Sequence, residues 1–121
     1  MIVVDTPALM AIVLNELEAD TRAAALERDA DIVISAGTAA EALIVSARRN
    51  VGAEMASLID GLGFEVAPVT HTSARNAADA YEKWGKGLHP AGLNFGDCFA
   101  YALAKERNCA LLYIGDDFCA T

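Results

Sequence analysis

Ile2-Val3-Val4-Asp5-Thr6-Pro7-Ala8-Leu9-Met10 decides how the rest of the chain is read. An unbroken apolar run this short, closed by an acid, predicts a strand buried on both faces. Pro7 predicts an immediate helix start, where its missing N–H is one of the donors left unused anyway. Leu9, Met10, Val13 and Leu14 carry the apolar side of that helix. The same grammar recurs downstream. Asp31-Ile32-Val33-Ile34-Ser35 predicts a second buried strand, and Gly37-Thr38 opens a helix that runs to Arg48-Arg49-Asn50. Helices are also expected over 18–28 and 53–59, and a third strand over 64–69. Thr70 or Thr72 caps a helix through Tyr81. Gly85-Lys86-Gly87-Leu88-His89-Pro90-Ala91-Gly92 reads as a loop, followed by a helix over 95–106 and a strand over 110–114. Strands alternating with helices imply an α/β fold with a parallel sheet of four to five strands and helices on both sides.

The 121 residues suit a single domain over 1–121, and a 55% apolar composition with 7% aromatics suits close helix-on-sheet packing. No apolar stretch is long enough to span a bilayer. Cys98, Cys109 and Cys119 form no paired motif and read as reduced thiols, which implies a cytoplasmic protein. The net charge of −8 argues against a nucleic-acid binder, because phosphate contacts need Lys and Arg. That objection weakens if several of the acids gather in one pocket around a metal ion, which inverts the local field.

Four acids are placed for this. Asp5 ends the first strand, Glu41 lies in the first turn of the helix after the second, Asp97 opens the last helix and Asp116-Asp117 follow the last strand. In a parallel α/β sheet all four positions fall at the carboxyl edge, where ligands bind. Ionised carboxylates that close repel one another unless a cation intervenes, and an all-oxygen set suits Mg2+ or Mn2+. Such an ion acidifies a bound water and neutralises charge on phosphate oxygens, the two requirements of phosphodiester hydrolysis. Each acid has a plainer reading too. Thr38-Ala-Ala-Glu41 and Asn94-Phe-Gly-Asp97 have capping-box spacing, and Asp116-Asp117 fits a solvated turn.

These segments, together with Ile34-Ser35-Ala36-Gly37-Thr38-Ala39-Ala40-Glu41-Ala42, Trp84-Gly85-Lys86-Gly87-Leu88-His89-Pro90-Ala91-Gly92-Leu93-Asn94-Phe95-Gly96-Asp97-Cys98-Phe99-Ala100-Tyr101-Ala102 and Leu112-Tyr113-Ile114-Gly115-Asp116-Asp117-Phe118, resemble VapC-type toxins, a branch of the PIN-domain ribonucleases. The resemblance runs in order over nearly the whole chain. It implies a PIN-like three-layer α/β/α fold and a Mg2+- or Mn2+-dependent endoribonuclease acting on structured RNA such as tRNA or rRNA. It also implies a homodimer held in check by a cognate VapB-type antitoxin, which would supply the only contact with DNA. By the same resemblance Asp5 and Asp97 are the first metal ligands, supported by Glu41. The family's fourth aspartate falls at Gly115 here, so Asp116 or Asp117 replaces it, with Asp116 preferred. Thr6, Arg48, Lys86 and Asn94 are the candidates for RNA contact. Leu9, Met10, Val13 and Leu14 read either as core or as an apolar groove for an antitoxin helix. Two other readings stand beside this one: a catalytically weakened antitoxin-binding subunit, since Pro7 replaces a hydroxyl residue of the family, and a Mg2+-dependent phosphotransfer receiver or phosphatase.

Overall fold

A computed structural model of the chain describes residues 1–14, 31–61, 63–88 and 92–112. The helix expected over 18–28, His89, and everything from Tyr113 onward, including Asp116 and Asp117, lie outside the described residues. Four parallel strands, β1 (Ile2–Val4), β2 (Ile32–Ser35), β3 (Glu65–Ala67) and β4 (Ala110–Leu112), form one sheet in the order β3-β2-β1-β4. The described helices are α1 (Thr6–Val13), α2 (Ala36–Arg48), α3 (Gly52–Gly61), α4 (His71–Trp84) and α5 (Phe95–Arg107).

Successive strand residues point to opposite faces, and the sequence makes both faces apolar. Val4, Ile32 and Ile34 pack against Leu9 and Met10 of α1, Ala42 of α2, and Met55 and Ile59 of α3. Val3, Val33 and Ala67 pack against Ala100, Leu103 and Ala104 of α5. Ala77 and Ala80 of α4 close a further cluster with Leu93 and Cys98, which places α4 behind α5. Small residues dominate this second side, so the α5 backbone can approach the sheet closely.

Two expectations need correction, the extent of the third strand and the start of the second helix. The third strand covers only Glu65–Ala67, with Glu65 and Val66 exposed, because it is the sheet edge and Pro68 has no N–H to continue a ladder. Of the two readings of the α1 apolar side, core burial holds for Leu9 and Met10, while Val13 and Leu14 are half-buried. The second helix begins at Ala36, where Ser35 caps it by accepting a hydrogen bond from the Gly37 N–H at 3.2 Å. Thr38 is therefore buried inside the helix, and Glu41 sits in the second turn rather than in a capping box. Among the described residues no helix is long and apolar enough to cross a membrane.

Leu9 is fully buried between α1 and the sheet. Leu9→Ala is expected to lower unfolding free energy by about 2–5 kcal/mol, read from urea denaturation midpoints at constant m-value.

Candidate active site

The carboxyl edge of the sheet collects three helix starts. β1 leads directly to α1 and β2 directly to α2, while α5 begins over the same edge. Each start exposes unsatisfied N–H groups and the positive end of a helix dipole, a setting that favours carboxylates. Asp5 and Asp97 are only 2% and 4% exposed, so each charge needs local compensation. Asp5 finds it as the N-cap of α1, accepting from the Ala8 N–H at 2.9 Å. Its own N–H donates to the Leu112 carbonyl at 3.3 Å, so β1 and β4 finish side by side. Asp97 is the third residue of α5 and completes a capping box with Asn94. The Asp97 carboxylate accepts from the Asn94 N–H at 2.9 Å, and the Asn94 side chain accepts from the Asp97 N–H at 2.8 Å.

Glu41 joins these two centres. Its carboxylate accepts a hydrogen bond from the Thr6 hydroxyl at 2.5 Å, one residue beyond Asp5. On the other side it lies against the Cα of Gly96, one residue before Asp97; a Cβ at that position would fall within the carboxylate. The reciprocal contact is made by Gly37, where a Cβ would stand 2.8 Å from the Phe99 ring. Two glycines thus allow the first turns of α2 and α5 to approach within side-chain-free distance. Both are in helices, where Gly costs roughly 1 kcal/mol relative to Ala. That cost was the available signal in the sequence, where Gly37 reads only as a helix opener and Gly96 only as part of a longer motif.

The structure therefore brings Asp5, Glu41 and Asp97 to one edge through Thr6 and Gly96. Among the described residues no three acidic, histidine or cysteine side chains stand close enough to form a complete cation cage. Asp5 and Asp97 each turn an oxygen back to a helix terminus, and Asp116 lies outside the described residues. The donor chemistry nonetheless fits a hard divalent cation, because every candidate is a carboxylate and two of them are buried.

The RNA-contact candidates separate. Thr6 is buried and its hydroxyl serves Glu41, so it is a positioning group rather than a surface contact. Asn94 caps α5 through its side-chain oxygen. Lys86 is exposed beside the site, since its N–H donates to the Leu93 carbonyl at 2.8 Å, immediately before the Asn94 cap. Arg48 is not brought to the acids: it sits in the last turn of α2, about 10 Å along the axis from Glu41. Behind Asp97, the buried Cys98 thiol donates to the Asn94 carbonyl at 3.3 Å. Burial, assisted by the Asp97 charge, pushes that thiol up from 9.0 to about 11.

The sequence pattern of the PIN domain matches residues 2–121. The chain is 42% identical to the VapC28 ribonuclease of Mycobacterium tuberculosis over 121 residues, covering 96% of this chain and 90% of that protein. It is 40% identical to the VapC42 ribonuclease of the same species, covering 98% and 94%. Its fold matches the crystal structure of Mycobacterium tuberculosis VapC20, described as a sarcin–ricin loop cleaving toxin, with a TM-score of 0.81 at 16% identity over 99% and 94% of the two chains. A toxin–antitoxin complex from Klebsiella pneumoniae matches with a TM-score of 0.72 at 16% identity over 96% and 88%.

The Cys98 thiol provides a probe of how well α5 is seated. Its raised folded-state value means the unfolded chain loses the proton first. Its contribution to stability is therefore intact below pH 9 and declines as pH rises toward 11. Denaturation midpoints should fall across that window, and Cys98→Ala should flatten the fall. In the native state iodoacetamide should modify the half-buried Cys109 well before Cys98.

Proposed function

The chain belongs to the PIN-domain family, on its VapC ribonuclease branch, and from that membership we propose that it is the ribonuclease toxin of a toxin–antitoxin pair, hydrolysing RNA phosphodiesters at Asp5, Glu41, Asp97 and Asp116 with Mg2+ or Mn2+. One observation carries the site assignment. A single carboxylate, Glu41, is held from one side by Thr6 and from the other by Gly96, so the segments bearing Asp5 and Asp97 meet at it. Asp116 joins the set by its place in the chain, four residues beyond Leu112, whose strand pairs Val4 immediately before Asp5.

Asp5, Glu41, Asp97 and Asp116 would hold the cation, which when bound supplies an acidified water and charge neutralisation at the phosphate. The chain's own contribution is placement. Asp5 and Asp97 are fixed by their caps, which removes the rotamer freedom that would otherwise be lost on binding. Thr6 fixes Glu41 and supplies a hydroxyl beside the first acid, so Pro7 does not leave that corner without one. Lys86, exposed next to the α5 start, is the cation best placed to meet an RNA phosphate among the four contact candidates.

The substrate class in this reading is structured RNA of the tRNA or rRNA kind, and the site of action is the cytoplasm. A cognate antitoxin is the regulatory partner, and the DNA contacts of the pair belong to it, since a chain of net charge −8 is poorly suited to a DNA backbone. A homodimer completes the assembly.

Asp97→Asn keeps an oxygen for the Asn94 cap and removes the charge. Cleavage of total RNA with Mn2+ should fall by more than about a hundred-fold, about 3 kcal/mol of barrier, with the far-ultraviolet CD spectrum unchanged. Undiminished turnover would remove Asp97 from the mechanism. Gly96→Ala separates site from fold. The added Cβ displaces the flexible end of Glu41, and Ala restores about 1 kcal/mol of helix propensity. Thermal stability should therefore hold while cleavage drops about ten-fold or more, as for Glu41→Gln; full activity would show that the Glu41 position does not matter.

A further inference from the structure

Phe95 is 76% exposed, the most open large apolar side chain among the described residues. It is the first residue of α5, adjacent to Gly96 and two residues before Asp97. The fold gives no packing reason for this. Phe99, one turn later, already fills the space over Gly37. Phe95 only leans on it, edge to face, with ring centroids 5.0 Å apart and planes at 89°. That contact holds the ring in one orientation while leaving most of it in water. Beside it an apolar basin of about 400 Å³ opens between α4 and the first turn of α5, with Val69, Ala77, Tyr81 and Cys98 in its walls and no charged side chain in its lining.

We propose that Phe95 is the base-stacking residue of this active site, receiving the nucleobase that flanks the scissile phosphate when that nucleotide is unpaired. The inference rests on the ribonuclease reading and adds to it how a strongly acidic protein holds its substrate. With a net charge of −8, attraction to phosphates is scarce. Of the described cations, Arg107 is paired with Glu65 at 2.8 Å, Lys83 lies 5.0 Å over the Trp84 ring, and Arg48 and Arg49 end α2 at the far side from the acids, while Lys86 stands beside the α5 start. Stacking on an aromatic face needs no charge and accepts any base. A braced ring placed one residue from the Glu41 contact and two from Asp97 holds the neighbouring base while the phosphate lies over the acids. The two donors in the basin's walls are already engaged, the Tyr81 hydroxyl by the Lys86 carbonyl at 3.4 Å and the Cys98 thiol by the Asn94 carbonyl at 3.3 Å, so base-edge readout is scant and a looped or single-stranded segment is taken by its openness rather than its sequence.

Phe95→Leu and Phe95→Trp test the ring as a π-surface and not merely as apolar bulk; both changes are at an exposed position and leave the core untouched. Two readouts are combined. In cleavage assays Phe95→Leu should raise KM about ten-fold with kcat within about two-fold, and Phe95→Trp should stay near wild type. In EDTA, where cleavage is blocked, a short single-stranded RNA carrying one 2-aminopurine should lose fluorescence on binding wild type or Phe95→Trp, but not Phe95→Leu. Wild-type KM together with retained quenching in Phe95→Leu overturns the proposal. So does a change from dimer to monomer in light scattering with RNA binding intact, which would assign the ring to contact with a second copy. Quenching by wild type without any RNA cleavage would remove the ribonuclease reading and leave stacking in place. Cleavage lost in Asp97→Asn but indifferent to Phe95→Leu would do the opposite.

Discussion

The close approach of α2 and α5 at the carboxyl edge is the constraint on which the rest of this structure depends. It is made by two glycines facing each other's helices: Gly37 under the Phe99 ring and Gly96 under the Glu41 carboxylate. A side chain at either place would need the room that its partner now fills. These helices belong to opposite layers of the fold, and only at the sheet edge can their first turns meet. Because they meet there, Glu41 from one layer lies against Gly96 of the other, one residue before Asp97.

Charge placement follows from the same arrangement. Burying carboxylates is costly in proportion to how little compensates them. Here each buried aspartate is answered by a helix start: Asp5 by the Ala8 N–H, Asp97 by the Asn94 N–H. Glu41, further along its helix, is answered by the Thr6 hydroxyl instead. All three are carboxylates, the donor type that a hard divalent cation takes. The sheet below contributes little chemistry but much precision. Apolar on both faces, it fixes β1, β2 and β4 in register, and Asp5 and Ser35 end adjacent parallel strands as a result.

The distribution of basic and apolar groups gives the edge its character. Arg107 is committed to Glu65 at the opposite end, an exposed pair that holds that glutamate's carboxyl below its usual range and contributes modestly to stability. Among the described residues, Lys86 and Phe95 are exposed near the start of α5, the helix that carries Asp97.

How much of this was legible in the linear chain depends on the range of the forces involved. Strand and helix identity were legible, because unbroken apolar runs and 3.6-residue spacing are local properties: Ile2–Val4, Ile32–Ser35 and the helix from Phe95 read correctly without neighbours. The positions of Asp5 and Asp97 were legible as well, since each is fixed by the ends of its own element. Helix starts were less so. Thr38 offers as good a cap as Ser35 until Ser35's place at the end of β2 is known, and with that change Glu41 turned from a cap residue into a bridging one. The fates of Leu9 and Met10 and the edge position of β3 depended on what packs against them. Gly37, Gly96 and Phe95 carried no decisive local signal, because their roles lie in contacts across the fold with residues far away in sequence. The sequence by itself determined the elements and the acids that close them. Only the tertiary structure decided which helices touch, because close approach depends on the absence of a side chain at the place where another chain segment arrives.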